Sequence, residues 1–77
     1  MRQLNEVMVG FRRGVAEETA RAAVEARGGS VKRRMRTDHE DEVMLLVKVD
    51  DTAALAKAMK SHADVTHVEI NQDGFHI

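Results

Sequence analysis

The sequence predicts an α+β fold of the ferredoxin-like type, a four-stranded antiparallel sheet with two helices on one face. Two observations lead to this prediction. Four short runs alternate in hydrophobicity with a period of two, which is typical of strands, and the last of them is rich in β-branched residues. Two alanine-rich segments with helical spacing follow the first and the third of these runs. With right-handed crossovers, the order strand, helix, strand, strand, helix, strand gives the split βαβ sandwich.

The strands are predicted from their alternating side chains. Their expected bounds are about residues 6–12, 30–36, 42–49 and 65–71. In the first strand, Val7, Val9 and Phe11 share the face that we expect the helices to cover. Gly10 inside that strand indicates a bulge or a close backbone approach. The first and third strands are expected at the centre of the sheet, and the second and fourth at its edges.

The third strand is the most hydrophobic stretch of the chain. Leu45 and Val47 belong to the face that the helices cover, whereas Met44 and Leu46 belong to the other face. A strand that is apolar on both faces is usually covered on both sides. Because two helices cover only one face, Met44 and Leu46 suggest that a partner covers the second. Ordinary exposure of a few apolar side chains is the alternative.

The two helices are predicted at about residues 15–27 and 52–61. The first carries an alanine stripe, which lets a helix lie close to a sheet, and it ends at Gly28-Gly29. We expect one of these glycines in the left-handed conformation. Asp50-Asp51-Thr52 supplies capping side chains for the second helix.

Length and composition favour a single domain over residues 1–77 that is a weakly stable monomer when free. The 77 residues include two Phe but neither Trp nor Tyr, so the core is aliphatic and light. A net charge of −1 argues against bulk attraction to nucleic acid or to an anionic membrane. No apolar run is long enough to span a bilayer. Beyond the last strand, residues 72–77 have no packing pattern of their own, and we expect them to form an extended tail.

The second strand contains the one strongly basic segment. Simple alternation places Val31, Arg33 and Met35 on one face, and Lys32 with Arg34 on the other. A four-stranded sheet is a known platform for RNA, but that platform needs aromatic side chains for stacking. This sheet offers none, so an edge strand kept soluble by positive charge is favoured over RNA binding.

Motifs for catalysis, metals and cofactors do not emerge from the sequence. The four histidines lack the spacing of a zinc helix motif, and no glycine-rich phosphate loop follows a strand. Asp38-His39-Glu40-Asp41 is made of residue types that bind metals, but neighbours on one loop converge poorly on a single ion. A solvated turn is therefore favoured there. We expect no cofactor, no metal and no enzymatic activity.

Three pieces of the chain stand in a characteristic order. They are the strand Val7-Met8-Val9-Gly10-Phe11, the turn Gly28-Gly29-Ser30-Val31, and the closing strand Val65-Thr66-His67-Val68-Glu69. In this order and at these separations they resemble the propeptides of subtilisin-type serine proteases, whose stand-alone relatives are protease inhibitors. The resemblance implies that the chain binds and inhibits a subtilisin-like serine protease and also assists the folding of its cognate enzyme.

The resemblance also implies which residues touch the protease. The uncovered sheet face, with Met44 and Leu46, would lie on two surface helices of the enzyme. Glu69 matches a residue that accepts N–H groups at a helix start, and Asn71 stands where the family usually has a second acid. The tail would lie in the substrate cleft as a cleaved product, with Ile77 in the primary specificity pocket. The tail residues of this site are Gly74, Phe75, His76 and Ile77.

One departure and one alternative stay open at the level of the sequence. Gly74 stands where the family favours a larger apolar side chain. The alternative function is a ferredoxin-like regulatory module that dimerises through its uncovered face and binds a small metabolite. Such a module needs a glycine-rich or polar cluster after the first strand, which Arg12-Arg13-Gly14 matches only loosely. The expected location is extracellular for part of a secreted precursor, and cytoplasmic for a stand-alone chain without a signal peptide.

Overall fold

The structure, a computed structural model, describes residues 3–72. Its elements are β1 (Gln3–Phe11), α1 (Glu17–Glu25), β2 (Ser30–Met35), β3 (Met44–Lys48), α2 (Thr52–Lys60) and β4 (Val65–Gln72). The strands form one antiparallel sheet in the order β2-β3-β1-β4. The predicted ferredoxin-like fold is therefore confirmed, with β1 and β3 at the centre. The tail residues Gly74, Phe75, His76 and Ile77 lie outside the described residues.

The core lies between the helices and one face of the sheet. Each side chain that was predicted for this face is at most 1% exposed, namely Val7, Val9, Phe11, Leu45 and Val47. The helices cover them with Ala20 and Val24 from α1 and with Leu55 and Met59 from α2, and all four are buried. On β4, Val68 and Ile70 pack against the edge of this core.

The turns around the helices follow from a few residues. Gly28 has a φ of 90°, so the left-handed residue expected after the first helix is found here. At Gly29, an added Cβ would lie 2.6 Å from a methyl carbon of Val47 and 2.7 Å from one of Val24, so α1 approaches β3 closely. Asp51 caps α2 by accepting a hydrogen bond of 3.0 Å from the backbone N–H of Ala54.

Some expected bounds are wrong, for physical reasons. The first helix is shorter than 15–27 because Ala16 has an extended backbone (φ −68°, ψ 147°), so the helical turn begins only at Glu17. The first strand begins earlier than residue 6, because Gln3 pairs with Gln72. No helix within residues 3–72 is long and apolar enough to cross a membrane.

The predicted faces of the second strand are wrong, because this strand contains a bulge. Val31 pairs with Val47, but Arg33 pairs with Leu46, so Lys32 is an extra residue with no partner in the register. Val31 consequently packs on the core, while Arg33 and Met35 face the other side of the sheet. Simple alternation had placed all three on one face.

Candidate functional site

The sheet face away from the helices, which we call the open face, is the candidate functional site. Alternation along each strand and the observed register determine its members. They are Glu6, Met8 and Gly10 on β1, Arg33 and Met35 on β2, Met44, Leu46 and Lys48 on β3, and His67, Glu69 and Asn71 on β4.

The centre of the open face is apolar. Met8 lies opposite Leu46 in the register, and Met44 lies opposite Gly10 on one side and Met35 on the other. Leu46 is only 8% exposed, and the three methionines are half-buried. Methionine is flexible and polarizable, so such a surface adapts readily to the shape of a partner. The structure thus places Met44 and Leu46 on the uncovered side of the sheet, and their contact with a partner stays a prediction.

Gly10 keeps the middle of the open face flat. A Cβ at this position would lie 3.1 Å from the Cβ of His67 and 3.2 Å from the Cε of Met44, so a larger residue would push its neighbours aside. The register also shifts between Gly10 and Phe11. Of the two alternatives expected at this glycine, the structure shows the irregularity in the register, while the close neighbours are side-chain atoms and not backbone.

Along the β4 edge, the open face carries polar side chains. His67 lies opposite Gly10, Glu69 opposite Met8, and Asn71 opposite Glu6. Glu69 is exposed, and its Oε1 lies 3.3 Å from Nε2 of His67, which is also exposed. Glu69 and Asn71 share one side of the strand, so both can reach a partner that covers this face.

One end of the open face holds a polar cluster centred on Glu6, a residue that sequence reasoning missed. Although charged, Glu6 is only 9% exposed. Its Oε1 accepts a hydrogen bond of 3.1 Å from Nδ2 of Asn71, and its Oε2 accepts one of 2.9 Å from Nζ of Lys32. The alternation of side chains along β1 could have shown that Glu6 lies on the same face as Met8. It could not have shown the partners of Glu6, because these depend on how the strands are aligned.

A bulge in β1 lies next to this cluster. The register between β1 and β4 shifts between Gln3 and Glu6, and Asn5 has a φ of 54°, in the left-handed region. Asparagine is among the residues that tolerate this conformation best. The backbone oxygen of Asn5 accepts a hydrogen bond of 2.9 Å from the N–H of Val49, which ties the bulge to the end of β3.

The surroundings of Glu6 favour its charged form. The hydrogen bond from Lys32 is the largest influence and lowers the pKa of Glu6, while partial burial acts in the opposite direction. The hydrogen bond from Asn71 and the charges of Lys32 and Lys48 lower the pKa further. Glu6 is therefore ionised at neutral pH and acts only as a hydrogen-bond acceptor.

The other residues that were considered for chemistry have structural partners. Asp41 forms an ion pair of 2.9 Å with Arg13. Within residues 3–72 no three His, Cys, Asp or Glu side chains come together in a way that could hold a metal ion. His62 packs edge-on against Phe11, with ring centres 6.3 Å apart. Its Nδ1 accepts a hydrogen bond of 3.1 Å from the backbone N–H of Asp64.

Two cations of the basic segment in β2 are also engaged in contacts within the chain. Nζ of Lys32 lies 2.9 Å from Glu6, and Arg34 reaches Glu17 on α1 at 3.2 Å. Arg34 also donates hydrogen bonds to the backbone oxygens of Glu40 and Glu42. These two cations lie on opposite sides of the sheet and are engaged, so they do not form a continuous basic surface for a phosphate backbone.

A comparison with known protein families gives a match for this chain. The model of the fervidolysin N-terminal prodomain matches residues 4–71, which is most of the chain and includes all of the described elements but their outermost residues. A comparison with curated proteins found no match.

Proposed function

The chain belongs to the fervidolysin N-terminal prodomain family, a family of subtilisin-like protease propeptides, and we propose that it binds and inhibits a subtilisin-like serine protease. The family match over residues 4–71 is the observation that carries this proposal. A prodomain of this kind acts on a protease as an inhibitor and folding assistant, so we propose no catalytic activity for the chain itself.

In this proposal the open face is the surface that meets the enzyme. Its centre is apolar: Met8, Met35 and Met44 are half-buried and leave apolar area for a partner, whereas Leu46 is already largely buried by its neighbours. Two parallel helices on the surface of the protease would cover it, as the resemblance to subtilisin propeptides implies. Covering these side chains supplies the apolar burial that drives association.

Glu69 and Asn71 are proposed to accept hydrogen bonds from the starts of those enzyme helices. The first N–H groups of a helix have no partner inside the helix, and the helix dipole favours negative charge there. The exposed carboxylate of Glu69 can supply that charge. Asn71 supplies an uncharged oxygen, so its contact with the second helix is expected to be weaker.

The tail is proposed to occupy the substrate cleft like a cleaved product. β4 is an edge strand that runs to Gln72, so a tail that continues from it starts at the edge of the sheet. An extended peptide binds a cleft through main-chain hydrogen bonds and through pockets for alternate side chains. In this arrangement Ile77 fills the primary specificity pocket, His76 and Phe75 precede it, and Gly74 occupies a subsite that it leaves empty.

The same contacts would assist the folding of the cognate protease. A domain that binds the native-like enzyme more tightly than the unfolded chain lowers the free energy of the native state. As part of the precursor of a secreted protease, the domain would act outside the cell. We propose that the free chain is a monomer, which sedimentation at the concentrations of the inhibition assay can check.

The experiment that tests the proposal is steady-state inhibition of subtilisin by the full chain and by two tail variants. One variant ends at Asp73, and the other keeps the full length but replaces Gly74–Ile77 with alternating glycine and serine. Loss of inhibition in both variants would support a tail in the cleft. Inhibition that is retained in both would indicate that the open face carries the binding. A folded chain that inhibits neither subtilisin nor several related proteases would contradict the proposed function.

A further inference from the structure

We propose that Glu6 and Asn71 act as one unit at the protease interface, in which Glu6 orients the Asn71 amide so that its Oδ1 accepts an N–H from the enzyme. Glu6 is thus a positioning residue that acts through Asn71. This inference rests on the proposed function, which supplies the enzyme helix that Asn71 would meet.

The first step is that Glu6 itself is held in place. Each of its two carboxylate oxygens has its own donor, Asn71 at 3.1 Å on one side and Lys32 at 2.9 Å on the other. The side chain is largely buried between neighbouring strands, and it leaves β1 on the same face as Met8, directly after the bulge at Asn5. A carboxylate fixed at both oxygens has little freedom to follow a rotating partner.

The second step is that a fixed carboxylate determines the orientation of the amide. An ionised carboxylate can only accept hydrogen bonds, so Asn71 must present its NH2 group to Glu6. The Oδ1 of Asn71 then faces away, and it has no hydrogen-bond partner within residues 3–72. In that part of the chain no buried side-chain oxygen or nitrogen lacks a partner, so this Oδ1 is not fully buried. It is therefore available to an N–H group outside the chain.

The third step explains why an amide rather than an acid stands at position 71. A carboxylate at this position would place a second negative charge within about 3 Å of Glu6, where two carboxylates cannot both stay ionised without a large cost. Asn71 avoids this repulsion while keeping an oxygen for the enzyme. Glu6 therefore accounts for the departure from the acid that the resemblance leads one to expect.

A double-mutant cycle on inhibition of subtilisin tests the coupling. Asn71→Ala is expected to raise the inhibition constant about tenfold, the usual scale for one hydrogen bond. Glu6→Gln is expected to raise it about threefold, because an amide at position 6 can face Asn71 with either its oxygen or its NH2 group. In the Asn71→Ala background, Glu6→Gln should have no further effect. An equal effect of Glu6→Gln in both backgrounds would overturn the inference.

An exchange of charge between the two positions gives a readout that loss of structure would not produce. Asn71→Asp alone is expected to inhibit less well than the natural chain, because of repulsion from Glu6. The double variant Glu6→Gln with Asn71→Asp is expected to recover this loss and to bind at least as tightly as the natural chain, since the amide introduced at position 6 can donate to the new carboxylate. If Asn71→Asp alone inhibits more tightly than the natural chain, the argument is wrong.

A measurement on the free chain separates this inference from the proposed function. The side-chain amide signals of Asn71 in an NMR titration should follow the protonation of Glu6, and this response should vanish in Glu6→Gln. Failure of the natural chain to inhibit subtilisin would contradict the proposed function. Asn71 amide signals that do not change when Glu6 is protonated would overturn only the orienting role of Glu6.

Discussion

The open face can be tested by changing one methionine at its centre. Met44 lies on β3 between Gly10 and Met35, half-buried by its neighbours and directed away from the core. We consider two substitutions, Met44→Ala, which removes apolar area, and Met44→Asp, which adds a charge. Neither touches the buried side chains between sheet and helices, so the fold should persist in both.

The expected magnitudes follow from the burial of Met44. Full burial of a methionine side chain is worth about 1.5–3 kcal/mol, and about half of this is already realised in the free chain. The enzyme can therefore add about 1 kcal/mol, so Met44→Ala should weaken inhibition about fivefold. An unpaired carboxylate forced into the contact adds a desolvation cost of a few kcal/mol, so Met44→Asp should weaken inhibition about 100-fold or more.

The assay is the inhibition constant against subtilisin, with Ala53→Asp as the matched control. Ala53 is exposed in the first turn of α2, on the opposite side of the sheet, and its replacement changes the net charge by the same amount. A carboxylate near a helix start is tolerated well, so this control should stay folded. Circular dichroism confirms the fold of every variant. A folded Met44→Asp chain that inhibits as tightly as Ala53→Asp would refute the role of the open face.

Three further predictions concern the stability of the free chain, measured by urea unfolding. Gly29→Ala should lower the free energy of unfolding by about 2 kcal/mol, because the new methyl would lie 2.6 Å from Val47 and 2.7 Å from Val24; an unchanged midpoint would contradict the close packing of α1. Asp51→Ala should cost about 1 kcal/mol through loss of the cap on α2, and Asp51→Asn should recover most of it. Since the pKa of Glu6 is lowered in the folded chain, its stabilising effect is present above pH 4.5 and is lost as the pH falls through the folded-state value. Unfolding at about pH 6 and about pH 3 should therefore show a smaller acid loss in Glu6→Gln, and equal losses in both chains would contradict the ion pair.

The sequence was sufficient for the order of elements and for the core face. Val7, Val9 and Phe11 alternate without interruption, and this local pattern depends only on the pleat of a strand. The helices could be placed because glycines and capping aspartates mark their ends. Met44 and Leu46 could be assigned to the uncovered side by the same alternation.

The polar cluster could not be predicted, because its members are brought together by register rather than by local pattern. Glu6 and Asn71 are separated by 65 positions, and their pairing depends on the alignment of β1 with β4, which runs unbroken from Glu6 to Gly10. Lys32 reaches Glu6 across β3, so this contact depends on the strand order and not on any local pattern. The extra residue in β2 that changes the faces of the side chains after it also leaves little trace in a pattern of period two.

The strand order determines how the fold responds to a cut in the backbone. Each pair of neighbouring strands, β2 with β3, β3 with β1, and β1 with β4, joins the first half of the chain to the second. A single cleavage between Met35 and Met44 would therefore leave β1 with β2 in one fragment and β3 with β4 in the other, and neither fragment would contain two strands that pair with each other. The intact backbone holds the two halves at a high effective concentration, which cleavage abolishes. One nick in this connection would thus leave the sheet held together only by non-covalent contacts between two fragments, so its stability would depend on their concentration.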